Sequence, residues 1–148
     1  GVEIEGVESF THVTTHTDQP VTYEQTPPAG GAHANAWLNC GIYTEVQANE
    51  NAVHSMEHGA VWVTYDPAKV TGEDYETLQR QMPSSYVILS PYEGMDSPIA
   101  LSAWNHQLKI ESVTDERIGQ FFEEYWRSQN VPEPNALCSA GIEGPGRA

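Results

Sequence analysis

The chain has 148 residues, with 6 Lys and Arg against 21 Asp and Glu, for a formal net charge of −15 at pH 7. That length suits one domain with a sizeable core, and 7 Tyr, 4 Trp and 3 Phe argue against intrinsic disorder. So negative a surface repels phosphate backbones and anionic lipid, which excludes nucleic acid and membrane surfaces as partners. No apolar run approaches the roughly 20 residues that cross a bilayer.

The chain opens Gly1-Val2-Glu3 without an initiator Met, which predicts a processed or trimmed protein, with 1–10 as the remnant of a linker after a removed signal or anchor. Phe10–His16 carries β-branched residues in near alternation and reads as a strand, as does the short Val21–Tyr23. Thr26-Pro27-Pro28-Ala29-Gly30-Gly31-Ala32 is a strong punctuator, with two prolines that fix φ and two glycines that permit positive φ. It delivers His33 on a stiff support.

Ala60–Tyr65 reads as a buried strand ended by Asp66-Pro67. A helix follows from about Thr71 to Met82, with Tyr75, Leu78 and Met82 at helical spacing and Pro83 as its stop. Tyr86–Ser90 and Ile99–Trp104 read as further strands. Asp115 can cap a last helix whose Ile118, Phe121, Phe122, Tyr125 and Trp126 form an apolar stripe meant for the sheet. The tail 131–148 has no periodicity. The predicted fold class is therefore α+β: a single domain over 1–148 with a β-α-β-β-α core, its helices packed on one mixed sheet after an irregular N-terminal segment. Thioredoxin-like and ferredoxin-like arrangements both contain that order, but the chain has no CxxC for thiol redox chemistry.

Two cysteines, Cys40 and Cys138, stand far apart in loop-like settings. They favour a single disulfide and an oxidising compartment over two unrelated thiols of an intracellular chain. The sharpest chemical signal is Val53-His54-Ser55-Met56-Glu57-His58-Gly59. On a helix, His54 and His58 lie one turn apart and can share a metal while Glu57 reaches a bound water, the H-x-x-E-H pattern of some zinc proteases. In an extended segment, His54, Met56 and His58 would share a face, a softer set that suits copper. His33 is the natural third ligand and His12 a fourth, with His16 and His106 weaker candidates; Met95 is a further thioether of open role. Glu57 is a general base, a carboxylate that orients a ligand imidazole, or a solvated anion. The plainer alternative for all these histidines is an ordinary hydrogen-bonded core.

In combination, Pro27-Pro-x-Gly30-Gly31-x-His33, Trp37-x-Asn39-Cys40-Gly41-x-Tyr43, Val53-His54-Ser-Met-Glu57-His58-Gly59-Ala-Val-Trp62, Ser102-Ala-Trp104 and Pro132-Glu133-Pro134 before Cys138 resemble the domain of unknown function 3105 family. The resemblance runs from about His12 to Cys138. It implies a secreted or membrane-tethered bacterial protein, with His12, His33, His54, Glu57 and His58 on family motif positions, and it supplies no reaction. Met56 stands where Leu is expected, so a Met ligand is not a general family feature. Asn105-His106 stands where Gly is expected after Trp104.

The leading expectation is an extracellular metal-binding protein with a mononuclear site of His12, His33, His54 and His58, copper ahead of zinc because Cu(II) tops the divalent affinity order. The alternatives are a zinc-dependent hydrolase with Glu57 as base, and a structural or binding module of the cell envelope without metal.

Overall fold

In the computed structural model, which describes residues 3–148, the elements run β1 (Glu8–Ser9), β2 (Gly41–Ile42), α1 (Asn49–Glu57), β3 (Val61–Tyr65), α2 (Gly72–Arg80), β4 (Val87–Pro91), β5 (Ile99–Ala103), β6 (His106–Ile110) and α3 (Arg117–Tyr125). They build a single α+β domain around one sheet of order β1-β6-β5-β3-β4-β2. Strand β4 pairs parallel with β2 and β3, whereas β5 runs antiparallel to β3 and β6, and β1 antiparallel to β6. The sheet is mixed because the link from β3 to β4 carries a helix while β5 and β6 are joined by a tight turn.

Period-two alternation divides the core between the two faces of the sheet. Val61, Val63, Tyr65, Leu89, Leu101 and Leu108 join Leu78 of α2 and Phe121 and Phe122 of α3 in one apolar cluster. Trp62 and Ile88, which point the other way, join Val53 and Met56 of α1, with Leu38, Tyr43 and Trp104, in a second. The expected stripe of the last helix is thus buried, with Tyr125 and Trp126 packed partly exposed beside it. Asp115 accepts the Arg117 amide at 2.9 Å, a bond that satisfies a first-turn N–H.

Three expectations differ from the structure. Phe10–His16 is not a strand; only His16 makes a bridge, in parallel with His33, because the rest of the segment finds no neighbouring strand to pair with. Val21–Tyr23 is likewise irregular. Strand β6 was not expected: Asn105, at φ 68°, turns the chain in two residues between Ala103 and His106, which pair directly. Asn tolerates that left-handed conformation and so suits a hairpin turn. The N-terminal segment expected as a linker remnant contains the buried Ile4 and strand β1; its first two residues lie outside the described ones. Among the described residues no helix is long and apolar enough to cross a membrane.

The tail beyond Val131 is irregular but anchored. Cys40 and Cys138 form a disulfide with Cα atoms 5.3 Å apart, and the Cys40 amide donates to the Cys138 carbonyl at 2.8 Å. Leu38 bridges with Ile142, Tyr43 with Arg147.

Candidate metal centre

His54 and His58 sit at the end of a helix. Residues 54–57 lie within α1 and His58 is its C-cap, so the two imidazoles lie one turn apart, edge to face, with ring centroids 4.7 Å from each other. The extended alternative, with Met56 beside both histidines, does not hold: Met56 is fully buried among the apolar residues under α1. Helical geometry sends residue 56 to the opposite face, so no thioether is offered with this pair. Gly59 ends the helix at φ +104°, and a Cβ there would come 3.1 Å from the Arg127 Cα; Gly accommodates both the turn into β3 and that close approach.

The remaining donors arrive from three separate segments. The Pro-Pro-Ala-Gly-Gly loop is buried and sets His33, itself fully buried, against Glu57: His33 Nε2 donates to Glu57 Oε1 at 3.1 Å. A Cβ on Gly30 would lie 2.7 Å from the His12 ring, which only glycine at that positive φ avoids. The bridge from His16 to His33 brings the His16 ring within 4.7 Å of the His33 ring. From the tail, the Glu133 amide donates to the Glu57 carbonyl at 3.1 Å, and a Glu133 carboxylate oxygen stands 3.2 Å from His58 Nε2.

Six side chains therefore converge in two overlapping sets: His16, His33, His54 and Glu57 in one, and His54, Glu57, His58 and Glu133 in the other. Within each set the donor atoms all lie within 4.8 Å of one another. Metal–nitrogen and metal–oxygen bonds of about 2.0–2.2 Å place the donors of one ion no more than about 4.4 Å apart, so each set could hold an ion after shifts of a few tenths of an ångström. His16 and Glu133, at 42% and 51% side-chain exposure, form the rim; the rest is interior.

Three imidazoles are already oriented. Nδ1 of His33 donates to the Gly31 carbonyl (2.8 Å), Nδ1 of His54 to that of Ala34 (2.6 Å) and Nδ1 of His58 to that of Leu137 (2.6 Å). A proton held on Nδ1 leaves Nε2 as the ligating nitrogen, and all three Nε2 atoms point inward, the arrangement by which a protein fixes tautomer and ring angle at metal sites. Trp37 covers the second set, its ring 5.1 Å from His58 and 5.7 Å from His54.

The charges follow from this packing. Burial opposes a charge on His33, but its bonds to Glu57 and to the Gly31 carbonyl outweigh that and raise its pKa. Burial pushes His54 down to about 4, against its bond to Ala34 and with the help of the neighbouring imidazoles. Burial would also raise Glu57, yet the bond and charge of His33, with smaller contributions from Glu133 and His54, hold it down at about 2. The interior thus sets an ionised Glu57 against a His33 whose pKa is raised, beside a His54 that is neutral at neutral pH.

Of the residues expected from the sequence, the structure brings together His33, His54, Glu57 and His58, and places His12 elsewhere. His12 Nδ1 lies 2.7 Å from the Asn105 side-chain oxygen and Nε2 2.8 Å from that of Gln25, so both ring nitrogens are engaged away from the cluster. His106 is stacked on Tyr125 and bonded to Ser9, and burial lowers its pKa against the charge of Glu124. His16 carried only a weak expectation, and Glu133 none. The signal for Glu133 was its place in Pro132-Glu133-Pro134 before Cys138; nothing in the spacing announced His16.

No characterised protein and no solved structure gives a significant match to this chain. One family model does, over residues 12–140, and its description is protein of unknown function (DUF3105). The match takes in both cysteines, all of α1 and every donor of the cluster: the chain belongs to the DUF3105 family.

Proposed function

We propose that the protein is an extracellular metal-binding protein that takes up a transition metal on imidazole and carboxylate donors, copper ahead of zinc. The observation that carries this reading is the set of three Nδ1–H bonds to backbone carbonyls, with Nε2 of His33 and His54 facing Glu57 and Nε2 of His58 facing Glu133. A core histidine needs no such orientation. With Met56 in the apolar core, the donors are nitrogen and oxygen alone, a set suited to Cu(II) or Zn(II) rather than Cu(I); the affinity order then favours Cu(II). The disulfide supports an oxidising compartment outside the cytoplasm.

Titration of tag-free apoprotein with Cu(II) and Zn(II), separately and in competition, tests the reading. Both ions are expected to bind, Cu(II) the tighter. His33 carries a proton below its raised pKa and must lose it to ligate, whereas Glu57 is already ionised and His54 already neutral above about 4. Affinity should therefore fall as pH drops through the His33 range, about tenfold per unit for each proton displaced, and calorimetry in buffers of different ionisation enthalpy should register proton release. Binding of neither ion above background leaves the hydrogen-bonded envelope module as the better reading.

The helical form of His54–His58 favours a second reading, zinc-dependent hydrolysis with Glu57 as base. The zinc-loaded protein would then turn over ester or peptide substrates, and Glu57→Gln would abolish that turnover. Equal rates for both proteins, or none for either, discard it.

A further inference from the structure

The cluster has more donors than one ion can use, and they are divided in a particular way. His33 belongs to one set and His58 to the other, while His54 and Glu57 belong to both. Their Nδ1 bonds to three different carbonyls prevent either outer imidazole from swinging across without losing its anchor. A single ion centred among His16, His33 and Glu57 thus leaves His58 and Glu133 unused, and an ion centred among His58, Glu133 and His54 leaves His16 and His33 unused.

We propose that this centre binds two metal ions side by side, with Glu57 as the carboxylate between them; the inference rests on the metal-binding reading above and replaces its single ion by a pair. Glu57 is placed for that role. Its Oε1 lies 3.1 Å from His33 Nε2, 3.6 Å from His16 Nε2 and 3.7 Å from His54 Nε2, and in the second set, to which Glu57 also belongs, Glu133 stands 4.0 Å from His54 and 3.2 Å from His58. Paired ions in proteins sit about 3.5–4 Å apart, a separation that one carboxylate with two oxygens spans. Each set also ends in one exposed donor, His16 for the first and Glu133 for the second, so each position has its own door to solvent. Two divalent ions bring four positive charges to a pocket whose carboxylates offset two. The chain's net charge of −15 stabilises the surplus at longer range.

The test is metal stoichiometry on the disulfide-intact protein, by equilibrium dialysis with elemental analysis, together with electron paramagnetic resonance of the Cu(II) form. Two ions per chain are expected, with an integrated Cu(II) signal well below two spins because adjacent ions couple. His16→Ala and Glu133→Ala alter exposed residues, so both should keep the wild-type circular dichroism. Each should leave one binding event intact and weaken the other at least tenfold. Saturation of wild type at one ion overturns the pair but leaves the metal-binding reading standing, and no binding at all overturns both. Two ions with full, uncoupled spins, or two ions retained at wild-type affinity in both variants, also overturn the shared site.

Discussion

Loss of the Cys40–Cys138 disulfide is expected to cost about 4–5 kcal/mol of stability, the chain-entropy value for a closed loop of about 100 residues; the two cysteines are 98 positions apart. For a domain of this size that is a fall of roughly 10–20 °C in melting temperature. The cost is large because the bridge closes a long loop in the unfolded chain. The tail it secures contributes no helix or strand and is otherwise tied by isolated bridges, by hydrogen bonds such as the Gly141 amide to Asn39, and by the Arg147 guanidinium over the Tyr43 ring. The same tail carries Glu133 and the Leu137 carbonyl that holds His58, so metal affinity should fall with stability. Thermal melts and metal titrations of Cys40→Ser/Cys138→Ser against wild type check both effects. An unchanged melting temperature would show that the tail is held by its noncovalent contacts.

His54→Ala should weaken metal binding more than about a hundredfold, beyond the 10–100-fold typical of losing a group that only orients a ligand. His54 is the imidazole common to both donor sets, so its removal damages the centre whether one ion or two are bound. His12→Ala and Met56→Leu make the contrast. The His12 ring nitrogens face Asn105 and Gln25, and Met56 packs under the helix, so neither variant should change affinity by more than a few-fold. Retained binding in His54→Ala, or an equal loss in His12→Ala, would place the site elsewhere; near-ultraviolet circular dichroism separates either result from misfolding.

Much of this was legible in the chain where a pattern repeats. The apolar runs at Val61–Tyr65, Val87–Pro91 and Ile99–Ala103 are unbroken because a sheet covered on both faces buries every residue of its inner strands, and the stripe at Ile118–Trp126 shows its helical period directly. Helix α1 was ambiguous. Six of its nine residues, one unbroken run, are buried, its residues are polar on average, and no side chain caps its start, so neither an amphipathic stripe nor a cap marked it. Strand β6 hid behind a two-residue turn whose signal was a single asparagine. At the centre, spacing revealed the donors that share a helix, His54, Glu57 and His58. His16 and Glu133 were obscure for another reason: they reach the cluster through one backbone bridge and one amide-to-carbonyl bond, pairings between distant segments that no local period encodes.

The centre's donors come from chain positions 16, 33, 54–58 and 133, and this scatter sets an order of events. A nascent or unfolded chain has only the pairs His12/His16 and His54/His58 close together, and without the fold His54 and His58 lack the carbonyls that aim them. On the metal-binding reading proposed above, such a chain competes poorly for scarce ions, so loading would come last, after the sheet has assembled and the tail has been oxidised onto it. The metal acquired would then be chosen by what is present where folding finishes, not where synthesis begins. A protein exported unfolded would in this way exchange the metal pool of the cytoplasm for that of its destination.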